Sequence, residues 1–241
     1  MARFPVTGIV GPRQVGKTTV AKQLLHNTNT IYLDLEKNSD LNKLNDSELF
    51  FSQNQDKTII LDEIQYQPAI FPLLRALIDE SRKPGRFIIL GSASPSLLRQ
   101  SSESLAGRIN YLEMMPFSIL ETNEKITSQD LWIYGGFPEP ALSHDSNFVQ
   151  DWYCSFTTNY IQRDLPQYGL PADPRVTRQF LMMIASVHGG VLSYATFAKS
   201  LGLTAPTIKT YLSFLLDAFL LRELPSWSVN TKKRLVKSPK L

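Results

Sequence analysis

The sequence predicts an α/β fold in which a parallel β-sheet carries helices on both faces. Five short apolar, β-branched runs are separated by polar or helix-like segments of roughly 15–25 residues, which is typical of strands joined by crossover helices. These runs are Val6–Val10, Thr30–Leu35, Thr58–Leu61, Phe87–Leu90 and Ile109–Met114. A glycine-rich loop follows the first run and a pair of acids follows the third, so we expect both at the carboxyl edge of one sheet.

Two connecting segments, Leu41–Phe51 and Ile70–Ser81, have the clearest helical patterns. Pro72 stands early in the second segment, where proline is tolerated because first-turn N–H groups have no intrahelical acceptor. We therefore expect a crossover helix over each segment.

The strand-like runs stop after Pro116, and the sequence becomes helical. The predicted helices are Gln129–Tyr134, followed by the rigid turn 135–140; Phe148–Leu165, ended by Pro166; and Val176–Val187, ended by Gly189 and Gly190. This change places a domain boundary near residue 125.

The third part of the chain resembles a helix-turn-helix. Ser193 can cap a helix over Tyr194–Leu201, and Gly202 makes a turn. Thr204 can cap a second helix, Ala205–Phe219, with Pro206 in its first turn. Two strands of a following wing are expected at Leu220–Leu224 and Leu235–Val236. The predicted division is therefore an α/β domain over 1–125, a helical lid or linker over 126–190 and a winged helix-turn-helix over 191–241.

Composition limits the classes of protein that this chain can represent. The 241 residues include one cysteine, Cys154, which excludes an internal disulfide framework and fits a reducing compartment. No apolar run is long enough to span a membrane and the start does not read as a signal peptide, so we expect a cytoplasmic protein. The net charge of +3 is concentrated in the last twelve residues, at Lys232, Lys233, Arg234, Lys237 and Lys240.

The glycine-rich loop fits the phosphate-binding pattern known as Walker A, with two glycines followed by Lys and Thr. A strand precedes it and a helix follows it, as the motif requires. Its glycines allow the backbone to curl so that N–H groups hold phosphate oxygens, while Lys17 reaches the terminal phosphates and the Thr18 hydroxyl binds Mg²⁺. The predicted nucleotide-binding residues are Gly11, Pro12, Arg13, Gln14, Val15, Gly16, Lys17, Thr18 and Thr19.

Two acids, Asp62 and Glu63, close the third strand and give a Walker B pattern. Asp62 is suited to hold Mg²⁺ through a water molecule, and Glu63 is suited to act as the general base for an attacking water. The alternative is that both are solvated acids at a strand end. The upstream phosphate loop favours the catalytic interpretation.

One full strand, Thr30–Leu35, lies between the phosphate-loop strand and the strand of the two acids. This arrangement resembles the additional-strand, catalytic-glutamate division of P-loop ATPases, which includes AAA-type machines. The sequence has no Asn-Lys-x-Asp guanine reader, so ATP is favoured over GTP.

Further residues follow from this resemblance. Ser92, with Ser94 as second choice, stands where AAA-type ATPases place a polar residue that senses the γ-phosphate; the alternative is a helix cap after Pro95. Arg108 stands where they often carry an arginine finger, which a neighbouring subunit supplies; the alternative is a structural pair with Glu103 or Glu113.

The sequence does not decide the roles of two more arginines. Arg13 lies inside the phosphate loop and has no defined role. Arg163 and Asp164 end the long middle helix, where they either bridge to the nucleotide domain or are simply solvated.

An ordered set of motifs resembles a large family of prokaryotic AAA-like ATPases. The set comprises Val10–Thr19, Leu61–Gln65, Leu90–Ser94, Ser104–Arg108, Met115–Ser118, Gly135–Glu139 and Lys237–Leu241. Members have a nucleotide domain, a winged helix and a C-terminal nuclease-like domain of unknown function. This chain begins almost on its first strand and stops where that last domain normally follows, so we expect a fragment or a natural truncation.

The resemblance implies Mg²⁺-dependent ATP binding and hydrolysis. Two tasks are open: a DNA-associated ATPase that uses residues 204–240, or an ATP-gated signalling or defence switch with a protein partner. A homo-oligomer through Arg108 is expected in either case. The presumed recognition helix offers only Lys209, Thr210 and Ser213 on its outer face, with Asp217 acidic, which is a poor base-reading set. An inert nucleotide-binding scaffold is the third possibility.

Overall fold

The computed structural model describes residues 3–26, 29–92, 103–122, 126–143, 145–225 and 239–240. The chain forms two compact units, Met1–Val149 and Gln150–Leu241. The border between these units falls within the helical region that the sequence places at 126–190.

The first unit is built on a five-stranded parallel sheet with the order β2-β3-β4-β1-β5. Its strands are β1 (Val6–Gly11), β2 (Thr30–Asp34), β3 (Thr58–Asp62), β4 (Phe87–Ser92) and β5 (Ile109–Glu113). The five predicted strands are therefore confirmed.

The strand between the loop strand and the acid strand is not the expected one. β4 pairs with both β1 and β3, whereas β2 pairs with β3 and lies at the edge of the sheet. Strands that follow each other along the chain need not be neighbours, because each crossover helix can carry the chain past a strand position. The additional-strand arrangement holds, but the inserted strand is Phe87–Ser92 rather than Thr30–Leu35.

The helices of this unit cover both faces of the sheet. They are α1 (Lys17–Gln23), α2 (Asn38–Leu41), α3 (Ser47–Gln53) and α4 (Ile70–Glu80), with 3₁₀ turns at Leu24–His26, Asn42–Leu44 and Ile64–Tyr66. The continuous helix expected over Leu41–Phe51 is wrong. The Asp46 carboxylate accepts a hydrogen bond from the Leu49 N–H at 3.0 Å, and this cap starts a separate helix.

Alternate residues of the strands supply two apolar layers. Ile59 and Leu61 pack on one face with Phe51 of α3 and Phe71 of α4, while Ile60 packs on the other face with Ala21 of α1. This alternation follows from the two-residue period of a strand. It fixes α1 and the phosphate loop above the carboxyl ends of the central strands.

Three short elements follow the sheet: α5 (Ser128–Tyr134), α6 (Pro138–Ser143) and α7 (Ser146–Asn159). The long helix predicted over Phe148–Leu165 is interrupted. After α7 the backbone forms a π-helical segment, Tyr160–Asp164, and then α8 (Leu165–Gln167). The Leu165 N–H still donates to the Tyr160 carbonyl, so the helical run continues through Pro166 and ends at Gln167 rather than at Leu165.

The second unit continues with α9 (Pro174–Ser186), α10 (Tyr194–Leu201) and α11 (Ala205–Asp217). The predicted caps are confirmed, since Ser193 and Thr204 accept the N–H groups of Thr196 and Thr207. The strand predicted over Leu220–Leu224 is reduced to one antiparallel bridge between Leu224 and Lys240, and Leu235–Val236 lies outside the described residues. The two helices and the turn between them at Gly202 are present, and the winged helix-turn-helix domain stays a prediction.

Candidate functional site

The phosphate loop connects the end of β1 to the start of α1 through an unusual backbone. Gly11 has φ 152°, and a Cβ placed on it would lie 2.0 Å from the Met114 carbonyl oxygen. Gly16 has φ 92° and precedes the first turn of α1. Gln14 also has a positive φ, 65°, which the sequence pattern did not indicate. The two glycines are therefore required by the path of the backbone.

Lys17 is the buried cation of this loop. Its side chain is 7% exposed, and its ammonium donates to the carbonyl oxygens of Gly11 at 3.1 Å and Pro12 at 2.7 Å. Burial lowers the pKa of Lys17 to about 8, although the negative charges of Glu63 and Asp62 oppose this change. The loop therefore holds a positive charge out of water, ready for an anion that compensates the lost hydration.

Thr18 and Asp62 are brought together from opposite sides of the site. The Thr18 hydroxyl donates to Asp62 Oδ2 at 2.7 Å, and the Asp62 carboxylate is almost fully buried at the end of β3. A hydroxyl oxygen and a carboxylate oxygen side by side are the hard oxygen ligands that Mg²⁺ prefers, so the donor set fits this ion. The two residues predicted to hold the metal thus lie at one place.

A third side chain reaches the same carboxylate. The Tyr32 hydroxyl donates to Asp62 Oδ2 at 2.6 Å from the neighbouring strand β2. Burial and this hydrogen bond raise the pKa of Tyr32 well above its usual range, so the phenol stays a donor. Sequence reasoning missed Tyr32, because a tyrosine inside an apolar run gives no signal until the neighbouring strand is known.

Glu63 follows Asp62 in a left-handed conformation, with φ 54°. Burial raises the pKa of its carboxyl group above the ordinary range, and the side-chain amide of Gln65 donates to Glu63 Oε2. A left-handed glutamate is uncommon and costs about 1–2 kcal/mol, so the turn after β3 holds it there. The result is a shielded carboxylate beside the Thr18–Asp62 pair.

Ser92 ends β4 opposite Gly11 of β1, so its backbone lies at the same sheet edge as the phosphate loop. Ser94 lies outside the described residues. Arg13, inside the loop, is close enough to act electrostatically on two neighbours: its charge lowers the pKa of both Lys17 and Glu63. Arg13 is therefore part of the electrostatic environment of the site.

Arg108 lies at the other end of the sheet. It precedes β5, whose first residue pairs with Val6 at the start of β1, so it is about 17 Å along the strands from the phosphate loop. Its guanidinium donates to both carboxylate oxygens of Asp79, at 2.7 and 2.8 Å, and to the Ala106 carbonyl. The structural partner expected at Glu103 or Glu113 is thus Asp79, on α4.

Arg163 and Asp164 lie in the π-helical segment of the second unit. Asp164 is buried, so the interpretation of this acid as solvated is wrong. Within the described ranges, no three His, Cys, Asp or Glu side chains form a group that could hold a metal ion. Nor does any helix within them have the length and apolarity needed to cross a membrane.

Comparison with known proteins gives two family matches. A model described as an AAA domain matches residues 3–123, and a model described as a domain of unknown function (DUF8612) matches residues 127–241. Uncharacterized proteins of Mycobacterium tuberculosis and Mycobacterium bovis are each 36% identical over 239 residues, which cover 99% of this chain and 54% of theirs. The chain therefore spans about half the length of these curated relatives.

A solved structure supports the fold independently. The Walker-type ATPase of Pyrococcus abyssi superposes with a TM-score of 0.58 at 16% identity, over 90% of this chain and 85% of that one. At this identity the likeness concerns the fold. Together with the domain match over half of the sequence and the arrangement of loop and acids, it leads to one conclusion: the chain belongs to the AAA family of P-loop ATPases.

Proposed function

We propose that this chain binds ATP together with Mg²⁺ at the phosphate loop and hydrolyses it. One observation carries the proposal: the Thr18 hydroxyl and the Asp62 carboxylate meet at 2.7 Å directly beside a loop that holds a buried ammonium. A magnesium–triphosphate site needs oxygen ligands for Mg²⁺ and a positively charged side chain for the phosphate oxygens. Both are present here.

Each predicted residue has a role in this proposal. Residues 11–19 hold the phosphates, with Lys17 at the terminal ones, and Thr18 and Asp62 hold the metal. When bound, Mg²⁺ neutralises charge on the phosphate oxygens. Ser92, whose backbone ends β4 at this sheet edge, keeps its predicted role at the γ-phosphate.

Glu63 acts as the general base that takes a proton from the attacking water. A base must be ionised at the working pH and must not be so weak that it takes no proton. Burial moves the pKa of Glu63 upward, in the direction that makes it a stronger base. The amide of Gln65 holds its carboxylate in one orientation before a substrate arrives.

Steady-state ATP hydrolysis by the wild type and by Glu63→Gln tests the enzyme and the base together. We expect Glu63→Gln to lower kcat by about a hundredfold or more while the protein still binds ATP. Glu48→Gln, at an exposed position in α3, is the matched control and should leave kcat unchanged. The acidic limb of the wild-type pH profile should lie above the usual glutamate range, because activity is lost as Glu63 becomes protonated.

Three outcomes would contradict parts of this proposal. Equal rates in the wild type and Glu63→Gln would remove Glu63 as the base. ATP binding without turnover in either protein would favour the ATP-gated switch, and a change of elution volume between ADP and a non-hydrolysable ATP analogue would then be expected. GTP turned over as fast as ATP would contradict the nucleotide preference.

Arg108 is proposed as an arginine finger for a neighbouring subunit. It lies at the sheet edge opposite its own phosphate loop, so it acts on a nucleotide only if another copy presents that nucleotide to it. We expect Arg108→Ala to be inactive, and a mixture of Arg108→Ala with Glu63→Gln to regain activity because mixed assemblies contain intact sites. A mixture that stays inactive would contradict a finger supplied between subunits.

Association with duplex DNA is the second candidate function. The observation that favours it is the pair α10 and α11, joined through Gly202 in a left-handed conformation as in a helix-turn-helix. The hydroxyls of Thr210 and Ser213 bond back to carbonyls of their own helix, so we expect phosphate contacts rather than base reading.

Fluorescence anisotropy with a labelled duplex at low salt tests this candidate. Replacing Lys232, Lys233 and Arg234 by alanine should weaken binding and reduce its salt dependence by up to about three phosphate contacts. Binding that is undetectable at low salt, or unaffected by these replacements, would exclude DNA association through residues 204–240.

A further inference from the structure

Tyr32 reaches the candidate metal site from a neighbouring strand. It pairs with Ile60 of β3, and Asp62 is two residues further along that strand, so Tyr32 and Asp62 are diagonal neighbours on one face of the sheet. Diagonal neighbours are within reach of an aromatic side chain. A shorter residue at this position could not touch the carboxylate.

Three donors converge on the Asp62 carboxylate. The hydroxyls of Thr18 and Tyr32 donate to Oδ2 at 2.7 and 2.6 Å, and the Glu63 N–H donates to Oδ1 at 3.0 Å. These donors come from α1, from β2 and from the turn after β3. Together they allow the buried carboxylate one orientation.

The ring of Tyr32 is held as well as its hydroxyl. Lys22 lies one turn after Thr18 on α1, and its ammonium is 5.3 Å from the centre of the Tyr32 ring. A cation at this distance from an aromatic face is attracted to it. Helix α1 therefore supplies both Thr18, which donates to Asp62, and Lys22, which contacts the ring of Tyr32.

We propose that Tyr32 is a positioning residue that holds Asp62 in the orientation required for Mg²⁺ binding. The inference rests on the proposed function, since it assumes that Thr18 and Asp62 hold this ion. Hydrogen-bond partners of metal-binding side chains fix ligand orientation, and their removal typically weakens metal affinity 10- to 100-fold. Tyr32→Phe removes one of the two donors to Oδ2 and keeps the ring beneath Lys22.

The test measures ADP affinity by calorimetry with excess Mg²⁺ and with EDTA, without relying on turnover. In the wild type, Mg²⁺ should strengthen ADP binding. We expect Tyr32→Phe to lower this Mg²⁺-dependent gain about tenfold or more and to leave the affinity in EDTA unchanged. Tyr66→Phe is the matched control, because the Tyr66 hydroxyl lies 3.5 Å from Glu36 and does not touch Asp62.

A second arm separates positioning from a general structural effect. If Tyr32 acts through Asp62, then Tyr32→Phe should have no further effect on the Mg²⁺-dependent gain in the Asp62→Asn background. Thermal unfolding of each variant establishes that the fold is intact. An equal loss of affinity with and without Mg²⁺ would overturn the inference in favour of a structural role.

The remaining outcomes distinguish the inference from the proposed function. If Tyr32→Phe retains the full Mg²⁺-dependent increase in ADP affinity, the inference is overturned and the proposed function stands. A wild type that binds ADP equally with Mg²⁺ and with EDTA overturns the metal site and the role of Tyr32 with it. A wild type that binds no nucleotide overturns the proposed function as a whole, and Tyr32 then has no metal ligand to position.

Discussion

The two edges of the sheet carry charged groups in very different surroundings. At the carboxyl edge, Lys17 and Asp62 are 7% and 3% exposed, and the loop and neighbouring hydroxyls supply their hydrogen bonds. At the amino edge, Arg108 and Asp79 form a well-aligned ion pair in which Asp79 is 47% exposed. Buried charges are expensive and must be compensated, whereas water screens exposed pairs. Hydrogen bonds of the same length, 2.7 Å, occur at both edges, so their distances alone do not reveal this difference in burial.

The largest expected effect on stability is at Gly11. Gly11→Ala forces a side chain into a positive-φ conformation and against the Met114 carbonyl oxygen, so we expect a loss of about 3 kcal/mol or more in the free energy of unfolding. Gly202→Ala is the control, because Gly202 has φ 65° but open space around it. That substitution should cost only about 1 kcal/mol. Equal losses in urea unfolding would contradict the close approach at Gly11.

Replacement of the buried Lys17 should weaken nucleotide binding without lowering the free energy of unfolding. We expect Lys17→Met to weaken ADP binding by about a hundredfold, since charge-assisted bonds to phosphate are lost. The free energy of unfolding should not fall, because the folded protein no longer desolvates an ammonium group. A Lys17→Met protein that is much less stable than the wild type would contradict a desolvated lysine.

The lowered pKa of Lys17 predicts proton uptake on nucleotide binding. At pH 8 about half of the free protein has a neutral lysine, and phosphate oxygens favour the charged form, so binding in EDTA should take up about half a proton. At pH 6.5 the group is already charged and its contribution should vanish. Calorimetry in two buffers of different ionisation enthalpy measures this uptake. Lys17→Arg, which stays charged, should lack the uptake that Lys17 contributes at pH 8, so the difference between the two proteins should be largest at pH 8 and vanish at pH 6.5.

The smallest expected effect is at the amino edge. Asp79→Asn removes the negative partner of Arg108, but the pair is exposed and Arg108 keeps its bond to the Ala106 carbonyl. We expect the midpoint of thermal unfolding to stay unchanged and the ADP affinity of the isolated chain to stay that of the wild type. A clear drop in either quantity would show that the two edges are coupled.

The comparison also separates what could be predicted from the sequence from what could not. The phosphate loop and the acids after β3 are local patterns, so Lys17, Thr18 and Asp62 could be named together, and the parallel sheet placed them at one edge. Tyr32 and Asp79 contact their partners through strand order and helix packing, which no local pattern encodes. The break at Asp46 was missed because Leu44 and Phe51, on either side of it, keep a seven-residue helical spacing that hides the cap between them.

The close approach of Gly11 to Met114 has a mechanical consequence. The Met114 N–H donates to the Val10 carbonyl at 2.7 Å, and three residues later the Phe117 N–H donates to the Gly136 carbonyl at 2.7 Å. A Cβ on Gly136 would overlap the Phe117 carbonyl, so this junction is as tight as the first one. The segment 114–117 is thus held at both ends by a backbone hydrogen bond and a close approach to a glycine. The strand that leads into the phosphate loop and the turn between α5 and α6 are therefore joined through this one short segment.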